Sequence, residues 1–209
     1  MARLPLFQKD ADYAAFERVV VEALQLHPTR ILGYCLMPNH WHFVLWPRSD
    51  SEITRFPRWL THTHTMRWHT HYHSRGTGHL YQGRFKAFPI ETGDHLFTVL
   101  RYVERNTLRA HLVRHVEKWR WSSLWQRSHD TGALHGLLSA WPVPLPADWV
   151  ARVQAPQTEA ELEAVRASVQ RGSPFGAPGW QKRISQRLGL EYTLRPRGRP
   201  KKQAAAAAN

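Results

Sequence analysis

His40 and His42 stand two residues apart in the run His40-Trp41-His42-Phe43-Val44-Leu45-Trp46. Side chains alternate across a strand, so this spacing puts both imidazoles on one face, with Val44 and Trp46 beside them and Trp41, Phe43 and Leu45 on the other. Two imidazoles on a rigid scaffold suit a divalent metal, which then needs a third donor from elsewhere in the chain. Some sixty residues later Tyr102 and Asn106 lie four apart, the spacing that sets one side chain above the other on a helix. A tyrosine can serve as a covalent nucleophile. Taken alone, Tyr102 is more often the mark of packing than of chemistry.

The elements that must hold these groups follow from the pattern around them. Arg30 to Pro47 is two apolar runs flanking a Met37-Pro38-Asn39 turn, which predicts a hairpin whose second strand carries the histidines. Before it, Tyr13, Phe16, Val20, Ala23 and Leu24 recur at helical spacing between Asp10 and Leu26, with Asp10 or Asp12 as cap and His27-Pro28 as stop. After it, Phe56, Trp59, Leu60, Thr63 and Met66 define the buried face of a second helix, with Pro57 in its first turn. The histidines at 62, 64, 69, 71 and 73 admit a metal cluster, yet exposed positions on a basic helix account for them without a ligand.

Ser74 to Gly78 ends that helix, and Leu80 to Ile90 alternates as a strand does. Gln82, Arg84 and Lys86 would share one face as a basic ladder for an anion, while Tyr81, Phe85 and Ala87 join a core. A solvated edge strand protected by its charges is the competing account. Thr92-Gly93-Asp94 then caps a helix whose buried stripe is Leu96, Val99, Leu100 and Val103. Tyr102 and Asn106 lie beside this stripe, and Arg101, Arg105 and Arg109 make the neighbourhood cationic.

Lys and Arg number 29 against 16 Asp and Glu in 209 residues, a formal charge of +13. That imbalance points to a polyanion, with nucleic acid ahead of an anionic membrane surface. No apolar run approaches the roughly 18 to 20 residues of a spanning helix, and no signal-peptide pattern opens the chain. A soluble, cytoplasmic protein is the expectation. The single Cys35 falls within an apolar strand and reads as a buried thiol.

Composition divides the chain into a main domain over 1–127, a Pro/Gly-rich connector over 128–157, a helical unit over 158–194 and a basic tail over 195–209, disordered when free. In the helical unit Thr158 and Glu161 form a capping box, and a second helix from Pro178 to Leu188 closes on Gly189. The pair is either a helix-turn-helix or two helices packed on the main domain.

Together these residues resemble the REP-associated tyrosine transposases, relatives of the IS200-type transposases within the HUH single-strand nuclease superfamily. The resemblance rests on Tyr34-Cys35-Leu36-Met37-Pro38-Asn39 before His40-Trp41-His42, on Gly78 to Lys86, and on Arg101-Tyr102-Val103-Glu104-Arg105-Asn106. It runs from about Pro5 to Trp125, and Pro174-Phe175-Gly176 through Gly198-Arg199-Pro200 is similar to that group's C-terminal extension. It implies an α+β fold with a ferredoxin-like antiparallel sheet, helices on one face, and a small helical C-terminal extension. It also implies that His40, His42 and Asn106 hold a divalent metal, Mg2+ or Mn2+, and that Tyr102 is the nucleophile. The substrate would be single-stranded DNA beside small hairpins, cut and rejoined through a 5'-phosphotyrosine link.

Arg84, Lys86, Arg101 and Arg105 would then contact phosphates, and Arg197 and Arg199 in the tail would add minor-groove grip, or merely solubilise the chain. The setting would be a bacterial cytoplasm at the nucleoid, and the sequence leaves both a monomer and a homodimer open. Two departures stand out. The family's N-terminal strand is missing before Leu4-Pro5-Leu6-Phe7, which suggests an upstream start or a decayed copy. Thr107 replaces a common proline, so the helix is expected to run on past Asn106. The alternatives are a catalytically dead protein that binds hairpin DNA, and an unrelated metallohydrolase built on the histidine pair.

Overall fold

A computed structural model describes residues 5–129, 134 and 136–195. Its organising unit is the hairpin of β1 (Arg30–Met37) and β2 (His40–Trp46), joined by Pro38 and Asn39 and paired antiparallel from Arg30↔Trp46 to Met37↔His40. The register shifts between Ile31 and Gly33, so the extra residue Leu32 reverses which face each later β1 side chain takes. Ile31, Tyr34 and Leu36 enter one core, and Leu32, Cys35 and Met37 enter another.

Both faces of this small sheet are therefore covered, which corrects the expectation of helices on one face only. The reason is visible in β1, a continuous apolar run buried from Ile31 to Met37, as strands between two layers are. On one side lie α1 (Asp10–Leu26) and α2 (Glu52–His71), bringing Phe16, Val20, Phe56 and Leu60 against Trp41 and Phe43. Fully burying each such side chain contributes on the order of 1.5–3 kcal/mol. On the other side lie α3 (Asp94–Glu104) and α4 (Asn106–Arg109), with Leu96, Val99, Leu100 and Val103 as the buried stripe.

Asp12 caps α1 from inside its first turn, accepting from the Gln8 and Lys9 amides at 2.8 and 3.2 Å. In α2 the buried row is Phe56, Leu60, His64 and Trp68, spaced by four. Met66, expected on that face, is 50% exposed, and His64, expected in solvent, is buried. Thr107 lets the helix continue as anticipated: only Arg105 interrupts the path from α3 into α4, and its amide still bonds to the Arg101 carbonyl at 2.9 Å.

The expected strand over Leu80 to Ile90 does not form. Gly83 adopts φ 99°, outside the extended region, and only Ile90 makes a bridge, to Phe175. Tyr81 is drawn over the α2 side instead, where its hydroxyl accepts from Trp41 Nε1 at 3.1 Å and reaches His64 Nδ1 at 2.6 Å. Phe85, expected in a core, is 38% exposed. Arg84 and Lys86 thus stand on an exposed loop, not on a ladder.

The sheet has two strands, and the second edge of β1 is completed by side chains and short segments. Ser123 Oγ accepts from Tyr34 N at 2.9 Å, Trp119 Nε1 and Trp141 Nε1 donate to the Leu36 and Leu32 carbonyls, and the Trp121 carbonyl takes Leu36 N. These groups satisfy edge polar atoms that a buried strand could not leave bare. Ser123 begins α5 (Ser123–Ser128).

The segment read as a connector contains a further helix, α6 (Trp149–Gln154), whose Trp149 and Val153 are buried with Leu100 and Val103. Then α7 (Glu159–Arg171) adds Val165 to the same core, with the Thr158/Glu161 capping box in place. The helix α8 (Pro178–Leu188) ends on Gly189 at φ 65°, and α9 (Glu191–Leu194) follows. Of the two arrangements open from sequence, α7 is packed on the main domain. Arg197 and Arg199 lie outside the described residues.

Candidate functional site

His40 and His42 project from β2 toward the α3–α4 side, and Tyr102, Asn106 and Arg109 face them from the helix. The two imidazole rings are 4.9 Å apart at 87°, and the Tyr102 ring lies 6.0 Å from that of His42. Asn106 Nδ2 approaches His40 Nε2 at 3.3 Å, and Asn39 Oδ1 approaches His40 Nδ1 at 2.7 Å. If Nδ1 carries the proton it donates to Asn39, leaving the Nε2 lone pair facing the site. Burial, and then the charges of His40 and Arg109, push His42 down to about 3, so its ring is neutral at neutral pH. A neutral imidazole is the form that binds a metal.

The fold brings together His40, His42, Tyr102 and Asn106, the four residues expected at the site, and adds Arg109 and Asn39 to them. The Arg109 guanidinium sits 4.3 Å from the Tyr102 ring centroid and donates from Nη2 to Asn106 Oδ1 at 2.7 Å. Helical spacing was the available signal, since residues 102, 106 and 109 fall on one face.

Arg101 and Arg105, expected on phosphates, are engaged elsewhere. Arg101 Nε donates to the Arg152 carbonyl at 3.0 Å, and Arg105 Nη1 donates to the Val153 carbonyl at 3.1 Å and to that of Gln154. These cations hold the C-terminal end of α6, where unpaired carbonyls favour positive charge. Arg84 and Lys86 make no hydrogen bond or ion pair among the described residues.

Beneath Tyr102, Glu104 is only 1% exposed and fastens the helix to two other elements. Ser123 Oγ lies 2.5 Å from one of its oxygens and Trp149 Nε1 donates to the other at 2.7 Å. Burial raises its carboxyl above the usual range. Gly33 makes this approach possible: a Cβ there would lie 2.7 Å from Leu100 Cδ2 and 3.3 Å from Ser123 Oγ.

No group of three or more His, Cys, Asp or Glu side chains among the described residues is placed to hold a metal ion, the histidines of α2 included. Two imidazoles and one amide are what the β2/α3–α4 face offers. Imidazole nitrogens and an amide oxygen are both donors that a divalent cation accepts. One detail must change for Asn106 to contribute an oxygen. Its Oδ1 faces Arg109 and its Nδ2 faces His40, so the amide would have to turn.

A family model described as "Transposase IS200 like" matches residues 1–106, half of the chain, and takes in the hairpin, Tyr102 and Asn106. The chain belongs to this family of IS200-like transposases. Membership carries the family's general activity on DNA, transposition-related cleavage and rejoining of single strands. No curated protein matches the chain, and no solved structure does. Among the described residues no helix is long and apolar enough to cross a membrane.

Proposed function

We propose that the chain is an HUH-type tyrosine transposase of the REP-associated kind, cutting and rejoining single-stranded DNA beside small hairpins. The observation that carries this reading is the meeting of His40, His42, Tyr102 and Asn106 on one face, from elements some sixty residues apart in sequence. A divalent cation held by His40, His42 and the Asn106 oxygen would supply Lewis-acid polarisation of the scissile phosphate. Tyr102 gives up its phenolic proton as its Oη bonds to phosphorus. The P–O3' bond breaks, and the departing 3' oxygen takes a proton. The resulting 5'-phosphotyrosine keeps the phosphodiester's energy, so a second 3' hydroxyl can reverse the attack without ATP.

Arg84 and Lys86 hold the strand through its phosphates from their exposed loop. The work is done at the nucleoid of a bacterial cytoplasm, by a monomer or a homodimer. A labelled hairpin-flanked single strand, incubated with Mn2+, becomes covalently attached to the wild-type chain and not to Tyr102→Phe. Full activity in Tyr102→Phe would instead indicate a metallohydrolase. The two-stranded sheet formed by the described residues is small for a catalytic platform and favours a second reading, a hairpin-binding protein that cuts nothing. Salt-sensitive binding without any adduct would establish that one.

A further inference from the structure

Arg109 places a full positive charge inside the site that the proposed function assigns to a cation. Its side chain runs back along the helix face past Asn106, so that the guanidinium lies 4.3 Å from the Tyr102 ring centroid. One nitrogen holds Asn106 Oδ1 at 2.7 Å, and the other, Nη1, is buried with no hydrogen-bond partner among the described residues. A buried guanidinium nitrogen without an acceptor is costly, and sites keep such groups where a ligand completes them.

Two consequences follow for a divalent cation beside His40. The first concerns the amide. With Oδ1 held by Arg109, Asn106 offers His40 Nε2 an N–H at 3.3 Å, where a metal would need a lone pair. Turning the amide would set its NH2 against the guanidinium, donor against donor. The second is Coulombic, because like charges at close range in a partly desolvated site repel strongly. A phosphodiester removes both obstacles: its oxygens accept from the guanidinium and its charge lies between the two cations.

We propose that Arg109 is a positioning residue that makes cation binding at His40, His42 and Asn106 conditional on a bound DNA phosphate. The proposal rests on the metal-site reading above, and it adds that metal and DNA bind as a coupled pair, each raising the affinity of the other by the same factor.

The test is a Mn2+ titration followed by electron paramagnetic resonance, on the full chain with and without a single-stranded hairpin oligonucleotide. In the wild type, DNA tightens Mn2+ binding by about tenfold or more, the span of ordinary coupling energies. Arg109→Met tightens Mn2+ binding without DNA by a similar factor and loses most of the coupling. Arg109→Lys keeps the charge and stays near the wild type, and thermal melting of the three proteins verifies that each is folded. Equal Mn2+ affinity in wild type and Arg109→Met overturns the proposal. So does equal tightening by Met and Lys, and so does an absence of Mn2+ binding in every protein with and without DNA. Failure of the transposase reading is seen separately: Mn2+ and DNA couple through Arg109, yet Tyr102 forms no adduct.

Discussion

Asn39 and Glu17 are residues whose effects can be isolated. Asn39 Oδ1 fixes the orientation of His40 by pairing with Nδ1, the kind of outer contact that sharpens a metal ligand. Asn39→Ala is expected to weaken Mn2+ binding by about 10- to 100-fold while leaving the melting temperature nearly unchanged. Isothermal titration with the DNA present measures it. Glu17 is 5% exposed, and its Oε1 lies 3.4 Å from the Tyr34 hydroxyl. Burial pushes its carboxyl up to about 7, against partial relief from Tyr34 and Arg120. A raised carboxyl binds its proton more tightly in the folded state, so its contribution to stability is complete below about pH 4.5 and is lost as pH rises through 7. Glu17→Gln therefore gains stability over the wild type above pH 7, by at most about 3 kcal/mol, and matches it in acid. Denaturant unfolding at pH 4 and pH 8 compares the two.

At the scale of elements, the close approach of α3 to β1 determines where Tyr102 stands. Gly33 allows it, Glu104 and Ser123 fasten it, and α6 locks the far end through Arg101 and Arg105. Gly33→Ala forces a methyl group against Leu100, which is fully buried, and overpacking of this kind costs about 1–3 kcal/mol. It is expected to lower thermal stability and adduct formation together, because the helix it displaces carries Tyr102. The helices α1, α3, α7 and α8 were legible in the sequence, since each keeps a strong local pattern of apolar spacing and stops. The strand at 80–90 was misread because alternation alone cannot supply a pairing partner. Gly83 bends the segment, and the hydroxyl of Tyr81 is satisfied by Trp41 and His64, across the sheet and not along its edge. The short helix α6 has no local signature, because its six residues are positioned by Trp149 meeting Glu104, a contact 45 residues apart in sequence.

Across the whole molecule, the cations behind the formal charge of +13 differ in what they engage. Some cations are structural, as Arg101 and Arg105 are on α6, and others make no hydrogen bond or ion pair among the described residues, as with Arg84 and Lys86 on their loop. Local geometry could set both histidines on one strand face and Tyr102 above Asn106, because the 2- and 3.6-residue periods are properties of the strand and the helix alone. It could not say which arginines were free, since that depends on carbonyls at the end of a helix that only the tertiary fold brings near. Neutralising Arg84 or Lys86 with Gln is expected to reduce the salt slope of single-strand binding by about 0.7 each, uniformly across sequences. Fluorescence anisotropy over a range of NaCl concentrations gives those slopes.

The proposed function requires Tyr102 to be the nucleophile that faces the histidine pair. The most direct measurement is mass spectrometry of a tryptic digest after reaction with a hairpin-flanked single strand and Mn2+, followed by nuclease trimming. The expected result is a nucleotide 5'-phosphate on Tyr102 in the peptide Tyr102-Val103-Glu104-Arg105. DNA linked to any residue other than Tyr102, or cleaved DNA with no linked peptide at all, would contradict it.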